Sequence, residues 1–255
     1  MRLLGTVLKQ IHKPAVYSTH RRRLSSRATG GPSPLRVEAP VVGSNRELVL
    51  SLGLQVEVRT GFITEEEEAA LLQELEPGLR RKRYEFDHWD DTRKQYFLVP
   101  VNEDNRRVKV TGRLDQAIHG YRETERVTWG AACEEILTRV RSAAFPEGSS
   151  LLGPVHVLDL DKAGYIKPHI DSVKFCGSTI AGLSLLSDSI MRLVKEDDSS
   201  EWLDLLLSRR SLYILRDQAR YQYTHEILKD EESVFNGQKV PRQRRISVIC
   251  RNLPG

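Results

Sequence analysis

Two periods of hydrophobic and polar positions divide the chain. Across residues 62–75, Leu71, Leu72 and Leu75 form one apolar stripe at helical spacing, and Thr64 followed by Glu67 supplies a capping box ahead of it. Glu65 to Glu68 fill the first turn, where carboxylates complement the helix dipole, and Pro77 marks the stop. A second helix is predicted over 125–144, where Trp129, Cys133, Ile136, Leu137 and Val140 recur at helical spacing before Pro146 and Gly148.

From residue 151 the pattern changes to short β-rich segments broken by Gly, Pro, Asp and Ser turns. Strands are predicted over 155–160, 166–173, 179–186, 190–194, 203–207, 211–215, 222–227 and 245–251. Eight strands after two helices predict a mainly β, α+β fold, a double-stranded β-helix (jelly roll) core buttressed by helices. Residues 41–58 are mixed, and their apolar part, 48–54, fits a short strand or a helix equally. Residues 91–116 carry dense mixed charge and read as an insertion or long surface loop. The longest apolar stretches, such as 180–186 and 203–207, fall far short of the roughly 20 residues that span a bilayer, so no membrane span is expected.

Charge changes this picture at one end. The formal net charge is +4, yet residues 1–37 hold eight Lys/Arg (Arg2, Lys9, Lys13, Arg21, Arg22, Arg23, Arg27, Arg36) and no acid. Removing them leaves 31 basic against 35 acidic residues, a net −4 from residue 38 onward. An Arg-rich, acid-free N-terminus has the composition of a mitochondrial transit peptide, and a basic tail for acidic partners is the alternative. No apolar core of a secretory signal is present. The organisation expected is a leader over 1–37, a linker over 38–60 and one catalytic domain over 61–255, delivered to the mitochondrial matrix. Cys133, Cys176 and Cys250 show neither CxxC nor zinc spacing, which fits buried thiols in a reducing compartment.

The candidate chemistry starts at His169-Ile170-Asp171. On a strand, residues two apart face the same side and can grip one ion. The motif alone is weak, because His88-Trp89-Asp90 repeats it; with Tyr84 and Phe86 nearby, aromatic packing is the plainer reading there. Iron in an oxygenase needs two imidazoles and one carboxylate on one triangular face, leaving positions open. His225, 54 residues after Asp171, stands in a strand-like segment and can complete such a set, whereas the equivalent position after Asp90 is an alanine. Arg245 follows 20 residues later. Over 245–251, alternation puts Arg245, Ser247, Ile249 and Arg251 on one face and Ile246, Val248 and Cys250 on the other. Arginines aimed inward from a core strand call for a bound anion, since a buried unpaired guanidinium is costly.

These elements, His169-x-Asp171, His225 in "ARYQYTHEI" and the closing "RRISVICR", resemble the ordered motifs of the AlkB-like Fe(II)/2-oxoglutarate dioxygenases. The resemblance runs over about 61–254, and "GYIKPHID", "KFCG", "SLYILR" and "AIHGYRETE" are most similar to its mitochondrial branch. It implies Fe(II), 2-oxoglutarate and O2 as cofactor and cosubstrates, with His169, Asp171 and His225 as iron ligands. By position, Arg245 would pair with the C5 carboxylate, Ser247 would hydrogen-bond the same end, and Tyr213 would donate its hydroxyl. Arg251 would support the metal end or the C1 carboxylate. The reaction implied couples decarboxylation of 2-oxoglutarate, giving succinate and CO2, to hydroxylation of a substrate. Repair members use an N-terminal lid of hairpins and aromatics; residues 62–155 offer mainly two helices and short extended pieces, and residues 91–116 have no counterpart. With the acidic body, this favours a protein substrate of a monomeric enzyme. The alternatives are oxidative demethylation of methylated mitochondrial RNA or DNA and a non-catalytic partner-binding jelly roll. The resemblance further implies a part in fatty-acid metabolism and alkylation-induced programmed necrosis. No P-loop, GxGxxG or GxSxG motif points elsewhere.

Overall fold

The computed structural model describes residues 39–86 and 118–255. The chain enters through β1 (Val41–Gly43), α1 (Arg46–Ser51), β2 (Val56–Arg59) and α2 (Glu65–Leu79). It continues through β3 (Ile118–Arg126), α3 (Ala131–Ala144), β4 (Val155–His169), β5 (Thr179–Leu185), β6 (Ser189–Lys195) and β7 (Trp202–Leu207). Then follow β8 (Ser211–Arg216), α4 (Asp217–Tyr221), β9 (Tyr223–Ile227), the hairpin β10 (Val234–Phe235) and β11 (Gln238–Lys239), and β12 (Arg245–Arg251). Ten strands form a nearly closed antiparallel sheet in the order β1-β7-β6-β9-β4-β12-β5-β8-β2, with β3 added on β4. The first part of β4 pairs β12 and its end pairs β9, so this one 15-residue strand joins the two walls of the jelly roll.

Period-two patterning sorts the side chains into two cores. Leu158, Leu160, Ile180, Leu193, Leu205, Tyr213, Leu215 and Ile249 meet inside, between the walls. Their neighbours Val157, Ala181, Leu183, Ile214, Ile246 and Val248 face outward, where Leu71, Leu75 and Leu79 of α2 and Ile136, Leu137 and Val140 of α3 cover them. Both faces of β5, β8 and β12 are therefore buried, and each enclosed Val, Leu or Ile stabilises the fold by about 1.5–3 kcal/mol.

The expected capping box of the first helix is present: the Thr64 side chain accepts from Glu67 N–H, and the Glu67 carboxylate accepts from Thr64 N–H. Pro77 does not end this helix. The last turn continues to Leu79, which is fully buried, and Arg80 N–H still reaches the Glu76 carbonyl.

Other expectations need correction. The stretch 38–60 is not a linker: β1 pairs β7, β2 pairs β8, and Leu48, Leu52 and Val56 join the inner core. Its mixed pattern conceals two edge strands flanking a six-residue helix capped by Asn45, each too short to show a period. The second helix starts at Ala131, and residues 118–126 instead form β3, paired with β4 from Ile118–Ile166 to Arg126–Val155. That strand is mostly polar and partly buried, with Ile118 and Tyr121 alone packed on the inner core, so its backbone ladder rather than an apolar stripe holds it. The two strands placed at 155–160 and 166–173 are one through His169, because β3 pairs on both sides of the Asp-Lys-Ala-Gly segment that reads as a turn, with a register shift where it lies. Asp171 consequently lies beyond the strand. The leader over 1–37, the segment 91–116 and His88-Trp89-Asp90 lie outside the described residues. All three cysteines are free and buried, and no described helix is long and apolar enough to cross a membrane.

Candidate metal and cosubstrate centre

His169 closes β4, and the antiparallel register sets it directly opposite His225 of β9. Their rings approach to 4.3 Å between centroids. Asp171, two residues past the strand end, places its Oδ1 3.5 Å from His169 Nε2 and 3.7 Å from His225 Nε2. His169 and Asp171 present their ligand atoms to the same space, although Asp171 lies beyond the paired part of β4. The three ligand atoms lie within 4.8 Å of one another, and no other such group occurs among the described residues. His169 Nδ1 lies 2.9 Å from the Lys167 carbonyl, which can only accept, so Nδ1 carries the hydrogen and Nε2 keeps its lone pair for a metal.

The electrostatics suit the same purpose. Burial of His225 beside His169 pushes its imidazole down to about 3, so at neutral pH it is an uncharged donor. Burial alone would raise the Asp171 carboxyl, but Arg251, His169 and His225 outweigh it and hold it well below the usual range. Arg251 Nε donates to Asp171 Oδ2 at 2.8 Å, which leaves Oδ1 facing the imidazoles. Arg251 thus contacts the one carboxylate of this group.

At the other end of β12, Arg245 is 1% exposed. Its Nε donates to Ser184 Oγ at 2.9 Å, its Nη2 has no hydrogen-bond partner, and no carboxylate among the described residues pairs with it. Burial pushes this guanidinium down, with Tyr213 the partner that opposes the shift. Tyr213 is buried on β8, two strands from β12 in the same wall, within electrostatic reach of both Arg245 and Arg251. Gly182, paired with Tyr213, makes room for the ring: a Cβ there would stand 2.5 Å from the phenol carbons and hydroxyl. Ser247 is buried between Leu158 and Ser184 in the ladder, on the same face as Arg245.

Several supporting residues escaped the sequence reading. Buried Arg220 of α4 donates to the carbonyls of Ser172, Cys176 and Gly177 and so fixes the loop after Asp171. Buried Arg242 bridges the Leu228 and Gly164 carbonyls, one from each strand region that supplies a histidine. A charged residue in a connection carries no periodic signal. Gly182 escaped as well, though a glycine at the centre of an otherwise apolar strand is a signal of close approach.

Comparison with known proteins decides the family. The model of the 2OG-Fe(II) oxygenase superfamily matches residues 55–251, which include every residue placed at this centre. The chain belongs to the 2OG-Fe(II) oxygenase superfamily. Similar proteins of Mus musculus and Bos taurus are both described as alpha-ketoglutarate-dependent dioxygenase alkB homolog 7, mitochondrial. The first is 52% identical over 91% of each chain, and the second 52% identical over 89% of this chain and 93% of its own. The solved structure of OsALKBH1 superposes with a TM-score of 0.50 at 9% identity, covering 77% of this chain and 97% of that one, a likeness of fold alone. As a member of this superfamily the protein is a 2-oxoglutarate-dependent dioxygenase using Fe(II), 2-oxoglutarate and O2. The residues fit these groups: a two-imidazole, one-carboxylate donor set suits ferrous iron, and a buried guanidinium with an unmatched N–H suits a carboxylate.

Proposed function

We propose that His169, Asp171 and His225 hold the iron, and that Arg245 receives the C5 carboxylate of 2-oxoglutarate with Ser247 beside it. Tyr213 donates its hydroxyl to the cosubstrate, and Arg251 steadies Asp171 at the metal end. The observation that carries this reading is Arg245, enclosed with no carboxylate partner among the described residues, on the same strand face as Arg251. An isolated buried cation is costly, and a bound carboxylate offsets that cost. When bound, the iron supplies the oxidative chemistry that splits 2-oxoglutarate into succinate and CO2 and hydroxylates the substrate.

The substrate in this reading is a protein. Support comes from the net −4 of the chain beyond residue 37, since gripping a phosphate backbone demands a basic face. Action as a monomer in the mitochondrial matrix, with a part in fatty-acid metabolism and alkylation-induced programmed necrosis, completes the reading; the resemblance and the acid-free leader support it. The test is to incubate the iron-loaded protein with 2-oxoglutarate, oxygen and mitochondrial extract. Proteins gaining one oxygen, absent with His169→Ala, are the expected result. Formaldehyde released from methylated RNA, without oxygenated protein, would move the substrate to nucleic acid.

A further inference from the structure

We infer that His156 and Glu123 form a positioning relay that acts through Arg251 to aim the Asp171 carboxylate at the metal. The inference rests on the metal triad proposed above. It starts from Asp171, which lies past the end of β4, where no strand ladder fixes it. Its orientation depends on the Arg251 contact to Oδ2, and an arginine side chain forfeits up to about 2 kcal/mol of rotamer freedom when held in one pose. A second anchor on the guanidinium lowers the cost remaining when the metal binds.

That anchor is His156. It sits opposite Ile249 in the β4–β12 ladder and opposite Glu125 in the β3–β4 ladder. Arg251 and Glu123, each two residues along, are its diagonal neighbours on the same face. Arg251 Nη1 lies 3.3 Å from His156 Nδ1, and His156 Nε2 lies 2.9 Å from Glu123 Oε2. A guanidinium can only donate, so Nδ1 must be the acceptor and Nε2 must carry the hydrogen, which it donates to Glu123. Glu123 thus selects the one neutral tautomer able to receive Arg251. Three adjacent strands pass orientation inward in the sequence Glu123, His156, Arg251, Asp171.

Outer partners of metal ligands typically contribute 10–100-fold in metal affinity. The test uses Mn(II) as the probe, its binding to the full chain followed by electron paramagnetic resonance, with circular dichroism to verify folding. His156→Ala is expected to weaken Mn(II) binding by about 10–100-fold. His156→Gln, whose amide can accept from Arg251 and donate to Glu123, returns binding toward wild type. Glu123→Ala weakens binding and shifts the 15N resonances of His156 away from the pattern of an Nε2-protonated ring. Unchanged Mn(II) affinity in folded His156→Ala and Glu123→Ala overturns the relay, as does a Gln variant as weak as the Ala variant. If His156→Ala does not fold, Glu123→Ala decides alone, because Glu123 lies on the half-exposed rim. Failure of the wild type to bind Mn(II) would instead defeat the triad itself.

Discussion

Arg245 and His225 show how much single side chains do in this centre. Replacing Arg245 by Gln removes a charged hydrogen-bond donor worth about 1.5–3 kcal/mol. The KM for 2-oxoglutarate, followed by succinate release, should therefore rise on the order of 10–100-fold. His225 predicts a pH effect on the metal-free protein. Its folded value of about 3 lies below the ordinary 6.5, so between these limits the unfolded chain binds a proton that the native site refuses. Stability should fall as pH drops through that window, by up to about 1.4 kcal/mol per pH unit from this residue. Asp171, held low by Arg251, acts with the same sign but below its own ordinary value of 3.8. Urea titrations of wild type and His225→Asn from pH 7 to pH 4 would test this, with a flatter dependence expected for the variant. Spacing made Arg245 and the triad legible, but not the direction of these shifts, which arise from burial and neighbouring charge.

At the scale of elements, the capping box and the ion network of β4 make separate predictions. Thr64→Ala should cost about 1 kcal/mol in thermal or urea unfolding, because it removes the side-chain acceptor for Glu67 N–H. Asp159 should matter more. Fully buried in β4, it receives Arg122 of β3 at 2.7 Å, Arg244 ahead of β12 at 2.7 Å and the Tyr84 hydroxyl at 3.2 Å. Asp159→Ala leaves two guanidinium groups without their shared carboxylate, a loss of roughly 3–5 kcal/mol measured as a fall in urea midpoint. A single acid amid the apolar residues of Val157-Leu158-Asp159-Leu160 was visible in the sequence, yet its partners come from residues 84, 122 and 244. Strands β5 to β9 and β12 were predicted to within two residues, since buried faces impose a clear period. Strand β3 was missed because pairing to β4 sustains it without an apolar stripe.

For the whole molecule, the centre exists only while the two walls keep their register. Arg242 Nη1 donates to Leu228 O at 2.6 Å and Nη2 to Gly164 O at 3.2 Å, tying the region after β9 to β4. The fold and its centre should also be linked by mass action: Mn(II) at about 100 times its Kd contributes about 2.7 kcal/mol to the native state. Calorimetry should therefore show a rise in Tm with Mn(II), and none for His169→Ala, Asp171→Ala. The sequence by itself determined the jelly roll, the inward face of β12 and the candidacy of His169, Asp171, His225 and Arg245, because alternation and spacing are local properties of a strand. Only the tertiary structure decided that Asp171 lies beyond its strand, that Arg251 contacts its carboxylate, and that 38–60 belongs to the sheet. Those outcomes depend on contacts between residues far apart in the chain, whose energies no local period encodes.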